Sequence, residues 1–367
     1  MTKHIHGGDV YKYDHCLDFS ANCNPLGTPQ SVKKAIIDSV DSLSDYPRVG
    51  CGPLKEAIAV YEQTQKEYLI CGNGAADLIF SLCRAKNPKK ALLLAPTFAE
   101  YEQALVSVGC EITRYYLEET SDFCVEENYL QLLKTEKPDI IFLCNPNNPT
   151  GAVYQKETLE QLCKLARENN ILILADEIYN QLDYENQYVS IASFENMKDY
   201  TIIVNGFSKA YAMTGWRMGY IASSQKHIDQ ILKVHQYTTT SQMTFAQIGM
   251  ANAIDQEDVK KEVQHMVDTF ALRRTFIMEQ LDQCKNLFYI KPHGAFYIMV
   301  DVSKTGLNGQ EFADKLLEYG VAVVPANGFG KDFSDFIRIS FASSKENIAE
   351  AFVRIRKLLN DLNKEAC

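Results

Sequence analysis

The middle of the chain alternates short apolar runs with segments whose apolar residues recur at helical spacing. Residues 155–169 show this spacing, with Leu159, Leu162 and Ala166 on one face. Strands that are apolar on both faces and are joined by crossover helices are typical of a parallel sheet covered on both sides. The pattern therefore predicts a covered, mostly parallel sheet with strands at 91–95, 139–143, 171–175, 201–205 and 218–222.

The pattern changes from about residue 270. Strand-like runs at 295–300 and 337–341 are separated by a helical segment near 309–319, and a last helix follows. Strands interleaved with helices in this way predict a separate, smaller α+β layer.

The first 40 residues contain an amphipathic stretch with Val32, Ala35, Ile36 and Val40. We expect this segment to pack with the smaller part. The predicted fold is therefore α/β, with a three-layer, mostly parallel sheet in a large domain over 41–270. The smaller α+β domain is predicted to combine 1–40 with 271–367.

Composition narrows the classes of partner. The 367 residues are 46% hydrophobic, a composition that is typical of globular proteins and excludes a disordered or collagen-like chain. The formal net charge is −10. An acidic surface argues against nucleic acid or an anionic membrane as partner. Any anionic ligand must therefore be held by a local cationic pocket.

Eleven cysteines are present, and no two are spaced C-x-x-C, so zinc-ribbon and thioredoxin-like sites are not supported. The sequence begins without an apolar signal segment, and no apolar run reaches about 18 residues. We expect a reduced, cytoplasmic protein.

Polar residues that carry chemistry follow the predicted strands. Lys209 comes after 201–205, Asp176 ends 171–175, and Asn148 lies in the loop after 139–143. Carboxyl ends of parallel strands are where α/β folds bind ligands. A buried lysine there loses its proton more easily and can act as a Schiff-base nucleophile, although a lysine in this position, taken alone, is more often an ordinary strand-end residue.

A strand also gives way to a helix at Gly72-Asn73-Gly74-Ala75-Ala76. The free amides of such a helix start bind phosphate, although the same glycines also suit a plain tight turn. A lysine, a carboxylate and a phosphate cradle together are what pyridoxal phosphate requires, since its ring nitrogen must stay protonated to withdraw electrons.

Three motifs resemble the class I/II aminotransferases, which belong to fold type I of the pyridoxal-phosphate enzymes. They are N-P-N-N-P-T-G (145–151), D-E-I-Y (176–179) and F-S-K-A-Y-A-M-T-G-W-R-M-G-Y (207–220), and the resemblance covers nearly the whole chain. It implies that Lys209 forms the Schiff base with the cofactor and then carries the proton at the substrate carbon. It also implies that Asp176 pairs with the ring nitrogen, while Asn148 and Tyr179 hydrogen-bond the ring hydroxyl.

The same resemblance implies further cofactor contacts. Phe98 would stack on the ring, although simple core packing is an alternative for this residue. Tyr46 matches a tyrosine that family members lend to the partner subunit's phosphate, so the resemblance implies a homodimer. The phosphate itself would be bound by Gly74, Ala75, Ala76, Ser208 and Arg217.

Two residues are expected to contact substrate. Arg338 resembles the family arginine that binds the α-carboxylate. Alternation in 337–341 places it opposite Ile337 and Ile339, which equally suits the solvated side of a strand, so its role rests on the resemblance. Asn24, in D-F-S-A-N-C-N-P-L-G (18–27), is the second expected substrate contact.

Two departures from the family pattern affect the phosphate. Family members often have hydroxyl side chains at the positions of Ala75 and Gly206, and both are missing here. The phosphate should therefore depend more on backbone amides, Ser208, Arg217 and Tyr46.

The reaction type has two alternatives. The amino-terminal region, including 18–27 and 72–74, resembles threonine-phosphate decarboxylase and, more distantly, histidinol-phosphate aminotransferase. The segment 292–297 resembles ordinary amino-acid aminotransferases. A carboxylate held in the ring plane by Arg338 favours proton loss, whereas a site that grips a substrate phosphate favours decarboxylation.

Such a phosphate could be bound by Lys3, His4, His6 and Lys12, although loose surface charges are the more common explanation of residues like these. We predict an aminotransferase acting on an L-amino acid and a 2-oxo acid, with a decarboxylase as the alternative. A non-catalytic regulator is disfavoured, since the chain carries no basic DNA-binding extension.

Overall fold

The computed structural model describes residues 7, 8, 10, 13 and 15–365. The strands of this part are β1 Leu17–Asp18, β2 Leu69–Asn73, β3 Lys90–Ala95, β4 Glu111–Tyr116, β5 Ile140–Cys144, β6 Leu172–Asp176, β7 Thr201–Gly206, β8 Met218–Ser223, β9 Phe288–Tyr289, β10 Tyr297–Asp301, β11 Val321–Ala322, β12 Val324–Pro325 and β13 Phe336–Ser340. The α-helices are α1 Gln30–Ile37, α2 Gly52–Tyr61, α3 Ala75–Lys86, α4 Ala99–Val106, α5 Glu127–Glu136, α6 Lys156–Asn169, α7 Gln225–Thr239, α8 Thr244–Ala253, α9 Glu257–Leu281, α10 Gly309–Glu318 and α11 Lys345–Glu365.

A seven-stranded sheet in the order β2-β8-β7-β6-β5-β3-β4 organises the larger part of the molecule. Pairs β3–β4, β3–β5, β5–β6 and β6–β7 are parallel, whereas β8 runs antiparallel to both of its neighbours. This is the mostly parallel sheet that the apolar runs predict, and each predicted strand agrees with an observed one to within a residue at either end.

Both faces of this sheet are covered, which explains why its strands are apolar throughout. Leu93 and Phe142 point into one core together with side chains of α3 and α4. Their chain neighbours Leu92 and Ile141 point into the opposite core, which includes side chains of α5 and α6. Because successive strand residues face opposite sides, a three-layer arrangement buries all of them.

The C-terminal part contains a four-stranded antiparallel sheet in the order β12-β13-β10-β9. The N-terminal strand β1 pairs in parallel with β11 of this part, with Leu17 opposite Val321. This pairing joins the beginning of the described chain to the C-terminal part.

Helix α1 departs from that expectation. Val32 belongs to a buried cluster with Leu54 and Met250, and α1 packs mainly against α8. Gly249 on α8 allows this contact, because a Cβ there would lie only 3.2 Å from Ile36 Cγ1. The amphipathic face of α1 therefore covers the larger part. Helix α9 runs unbroken across residue 270, and the division of the chain at 40 and 270 stays a prediction.

Among the helices of the described residues, none has both the length and the apolar character that crossing a membrane requires.

Candidate active site

Three neighbouring strands bring reactive side chains to one edge of the large sheet. β5 leads into the loop that carries Asn148, β6 ends at Asp176, and β7 is followed two residues later by Ser208 and then Lys209. Since β5, β6 and β7 are adjacent and parallel, their carboxyl ends share this edge.

Lys209 is held by the amino-terminal segment. Its Nζ donates to the main-chain oxygen of Asn22 at 3.0 Å, and Asn24 Nδ2 donates to the main-chain oxygen of Lys209 at 3.1 Å. Burial, assisted by the positive charge of Arg338, lowers the pKa of Lys209 to about 8, although Asp176 acts in the opposite direction. An amine with this pKa is partly unprotonated near neutral pH, as a nucleophile or a base requires.

Asp176 is buried, with 3% of its surface exposed. Tyr101 donates its hydroxyl to Oδ2 at 2.7 Å, and the main-chain N–H of Ile178 donates to Oδ1 at 3.2 Å. Burial raises the pKa of Asp176, while these hydrogen bonds and the charge of Lys209 oppose the rise. A carboxylate in this setting is suited to pair with a protonated ring nitrogen.

Tyr179 forms a pair with a tyrosine of the C-terminal part. The hydroxyl oxygens of Tyr179 and Tyr297 lie 2.6 Å apart, and the two rings meet edge to face at 5.6 Å. The Arg338 guanidinium lies 4.5 Å from the centre of the Tyr297 ring, and Lys209 Nζ lies 5.7 Å from that of Tyr179. Both cations thus border one tyrosine pair.

Arg338 is buried rather than solvated, with 2% of its surface exposed. Its Nη1 donates to Asn148 Oδ1 at 2.9 Å, and its Nη2 donates to the main-chain oxygen of Ser20 at 3.0 Å. Its Nε is buried without a hydrogen-bond partner in the described chain. A buried guanidinium with donor capacity to spare is suited to bind a carboxylate.

A second cationic site lies at the start of α3. The helix begins at Ala75, its N-cap Gly74 has a φ of 82° and no side-chain cap, and its first N–H groups include that of Ala76. The positive φ of Gly74 favours glycine at this position, and the absence of a side chain lets Arg217 Nη2 come within 2.6 Å of where a Cβ would lie. Over the described ranges, no carboxylate pairs with Arg217. Helix amides and a guanidinium without a counter-anion fit a phosphate group, next to the buried Ser208.

The missing hydroxyl at Gly206 has a steric cause. Gly206 pairs with Gly219 across β7 and β8. A Cβ at Gly206 would lie 2.7 Å from the main-chain oxygen of Met218, so a serine or threonine does not fit this backbone. The expectation that the phosphate depends on other groups stays a prediction.

A cavity of about 560 Å³ opens beside these residues. Phe98, Arg338 and Asn22 line it, together with Phe329. Phe98 also packs edge-on against Tyr101, at 5.5 Å between ring centres. It is therefore both a core contact and a wall of the cavity, and the two alternatives for this residue are compatible.

For some predicted site residues the expected contact is not observed. Asn24 contacts Lys209, so its expected contact with substrate stays a prediction. Tyr46 is 93% exposed and is not drawn into the site of its own chain. The possible phosphate-binding residues Lys3, His4, His6 and Lys12 lie outside the described residues.

Sequence reasoning did not identify Tyr101, Tyr297, Ser20 or Asn22 as site residues. Tyr101 follows Phe98 by three positions at the start of α4, which places both on one helix face and could have indicated it. Tyr297 neighbours Arg338 diagonally on adjacent antiparallel strands. The Ser20 and Asn22 contacts use main-chain oxygens, which no side-chain pattern reports.

An edge of this kind suits an aldehyde cofactor that carries a phosphate and a ring nitrogen, so the fold and the site define a pyridoxal-phosphate enzyme of fold type I. The family model for aminotransferase class I and II matches residues 14–355. The chain belongs to this family, and its cofactor is pyridoxal 5'-phosphate.

Named relatives agree with this assignment. The chain is 34% identical over 347 residues to an aspartate aminotransferase of Pyrococcus abyssi, covering 91% of this chain and 89% of the relative. It is 31% identical over 347 residues to aromatic-amino-acid aminotransferase 2 of Thermococcus litoralis, with the same coverage of 91% and 89%.

Solved structures agree as well. An aromatic aminotransferase from Pyrococcus horikoshii superimposes with a TM-score of 0.89 at 31% identity, covering 94% of this chain and 95% of that one. Thermus thermophilus aspartate aminotransferase with maleate superimposes with a TM-score of 0.88 at 29% identity, and the match covers 93% of this chain and 91% of that one. The predicted fold class, family, enzyme class and cofactor are confirmed. The relatives are aminotransferases, which gives the decarboxylase alternative no support.

Proposed function

We propose that this enzyme transfers an amino group between an L-amino acid and a 2-oxo acid, with Lys209 as the nucleophile that attaches to the cofactor aldehyde. The observation that carries the proposal is the shared anchoring of two cations. Lys209 donates to Asn22 and Arg338 donates to Ser20, so one short segment sets the nucleophile beside the carboxylate-binding arginine.

The cofactor, when bound, supplies an electron-withdrawing ring next to the substrate α-carbon. Asp176 would keep the ring nitrogen protonated, because a buried carboxylate is stabilised by a positively charged partner. Asn148 and Tyr179 would bind the ring hydroxyl, and Phe98 would stack on the ring. The phosphate would be bound by Gly74, Ala75 and Ala76 at the start of α3, together with Ser208 and Arg217.

Lys209 would also carry the proton of the reaction. With a pKa of about 8, its amine can accept a proton from the α-carbon near neutral pH and return it. Arg338 would hold the α-carboxylate, with Asn148 fixing the orientation of its guanidinium. A carboxylate held in the plane of the cofactor ring is not the group that leaves the α-carbon. The α-proton would therefore be lost, and decarboxylation would be avoided.

We also propose that the active unit is a homodimer in which Tyr46 reaches the partner subunit's phosphate. The segment before and after Tyr46 exposes Ile37, Val40, Leu43 and Val49, with Tyr46 itself 93% exposed. Exposed apolar groups clustered in one short segment are typical of a surface that another protein covers. Light scattering of the purified protein tests this, and a monomer that retains full activity would contradict it.

The test of the reaction is direct. Purified holoenzyme is mixed with single L-amino acids, beginning with aspartate, phenylalanine, tyrosine and phosphothreonine. We expect the absorbance of lysine-bound cofactor to be replaced by that of the aminated cofactor, with stoichiometric 2-oxo acid. Release of carbon dioxide without 2-oxo acid would instead establish a decarboxylase. Lys209→Ala should abolish the change, while Lys198→Ala on the protein surface should not.

A further inference from the structure

An aspartate–histidine pair lies beside the start of α3, away from the reacting groups. Asp77 Oδ2 lies 2.9 Å from His235 Nε2, and the two side chains are 15% and 4% exposed. Asp77 belongs to the first turn of α3, whereas His235 lies on α7, and these two helices pack against each other. No step of the proposed reaction uses this pair.

The Asp77 carboxylate is directed toward the chain that precedes its own helix. Its Oδ2 also accepts from the main-chain N–H of Asn73 at 2.9 Å, and Asn73 directly precedes the N-cap Gly74. Because the N-cap has no side chain, it leaves the N–H groups of the first turn available to a ligand. The one acidic side chain of this turn is thus held by other donors.

The contacts of His235 determine where its proton lies. An ionised carboxylate only accepts hydrogen bonds, so His235 Nε2 must carry a hydrogen and donate it to Asp77. Thr239 Oγ1, one turn further along α7, lies 3.1 Å from the same nitrogen. Burial opposes ionisation of Asp77, but the hydrogen bonds from His235 and from the Asn73 N–H outweigh it and lower the pKa of this carboxyl. The pair is therefore a charged carboxylate bound to an N–H donor.

A carboxylate in the first turn of α3 can interfere with a phosphate in two ways. The unpaired N–H groups and the positive end of the helix dipole attract any nearby anion, so an unanchored Asp77 would compete for the same donors. Its negative charge, moved closer, would also repel the phosphate. The hydrogen bond from His235 keeps the carboxylate on Asn73 and so reduces both effects.

We propose that His235 is a positioning residue for the cofactor phosphate, acting through Asp77 to keep the first turn of α3 open to the anion. The inference rests on the proposed binding of the phosphate at this turn. It has a specific consequence: replacing His235 weakens phosphate binding only while residue 77 is a carboxylate.

The experiment compares two ligands on the full-length chain freed of cofactor: pyridoxal 5'-phosphate, and pyridoxal, which lacks the phosphate. Absorbance of lysine-bound cofactor gives the dissociation constant of each. His235→Leu removes one hydrogen bond to a charged group, so it should weaken binding of pyridoxal phosphate at least about tenfold and that of pyridoxal less than about twofold. Equal losses for the two ligands would indicate a general disturbance of the fold and would overturn the proposal.

Two further variants test whether His235 acts through Asp77. Asp77→Asn keeps an acceptor for the Asn73 N–H but removes the charge, so its combination with His235→Leu should restore pyridoxal-phosphate affinity to within about threefold of wild type. His235→Gln, whose amide can donate to Asp77, should retain affinity to the same extent. A double variant that binds as weakly as His235→Leu, or a His235→Gln chain that does so, would refute the role of the pair.

His227→Leu is the matched control. His227 is also a buried histidine of α7, and its Nε2 donates to the main-chain oxygen of Asp199 at 2.8 Å. Its replacement should leave both dissociation constants within about twofold of wild type, since it contacts no part of the turn.

The two ligands also separate this inference from the proposal on which it rests. A wild-type chain that binds pyridoxal and pyridoxal phosphate equally well would remove the phosphate from the start of α3, and the role of His235 with it. A wild-type chain that prefers pyridoxal phosphate, together with an unaffected His235→Leu, would overturn the role of His235 alone.

Discussion

Replacement of Arg338 by lysine separates the charge of this side chain from its geometry. The guanidinium donates to Asn148 at 2.9 Å and to Ser20 at 3.0 Å, and its surface is 2% exposed. Lysine keeps the positive charge but cannot present two parallel N–H groups to a carboxylate. The variant should therefore bind the substrate carboxylate through a single hydrogen bond.

The size of the effect follows from that difference. A hydrogen bond to a charged group contributes about 1.5–3 kcal/mol. Since each 1.36 kcal/mol corresponds to about tenfold in rate, Arg338→Lys should lower kcat/KM for an L-amino acid by about 10- to 150-fold.

The assay compares two substrates in single-turnover absorbance measurements. One is an amino acid, and the other is the primary amine that lacks only its α-carboxylate. The amine has nothing for Arg338 to bind, so its rate should stay within about twofold of wild type. Arg167→Lys, at a side chain that donates to the main-chain oxygen of Glu195, is the control. Equal losses for amino acid and amine would refute carboxylate binding by Arg338.

Three further predictions concern the cofactor and the fold. Arg217→Ala should lose most of its cofactor on dialysis, because the guanidinium at the start of α3 is removed, and absorbance after dialysis measures the loss. Glu177→Gln should remove the contribution of this carboxyl group to the pH dependence of stability. Burial raises the pKa of Glu177 to about 7, so the folded protein keeps a proton that the unfolded chain loses near pH 4.5. The wild-type free energy of unfolding should then fall by up to about 3 kcal/mol relative to the variant as pH rises from 4.5 to 7, which urea titrations measure. Gly206→Ser should destabilise the fold by about 1–3 kcal/mol, because its Cβ would lie 2.7 Å from the Met218 oxygen.

Each of these predictions has a contrary outcome. Full cofactor occupancy of Arg217→Ala after dialysis would remove that residue from the phosphate site. Parallel pH curves for wild type and Glu177→Gln would show that this carboxyl titrates normally in the folded state. Gly215→Ala is the control for Gly206→Ser, since a Cβ at Gly215 meets no atom within 4 Å. Equal urea midpoints for the two glycine variants would contradict the steric reasoning.

Local patterns were sufficient to predict much of the large sheet and part of the site. Apolar runs identify strands because both faces of a covered sheet are buried, and β5, β6 and β7 are such runs. Once those strands are predicted as parallel neighbours, the residues that follow them must share one edge. The sequence therefore predicts that Asn148, Asp176 and Lys209 lie close together.

The tertiary structure decided what depends on distant segments. Helix α1 has an apolar face that suits either part of the molecule, and its observed packing against α8, close to Gly249, is a contact between segments far apart in the chain. Arg338 sits on an alternating strand that reads equally as solvated, and the segment around Ser20 is what buries it.

The same division holds within the site. Sequence spacing predicts side chains that lie near each other along one element, because helix and strand geometry is regular. It does not predict that Tyr101 reaches Asp176, that Tyr179 meets Tyr297, or that a main-chain oxygen of Asn22 accepts from Lys209. These contacts join segments far apart in the chain, and their geometry follows from how the layers pack rather than from any local preference.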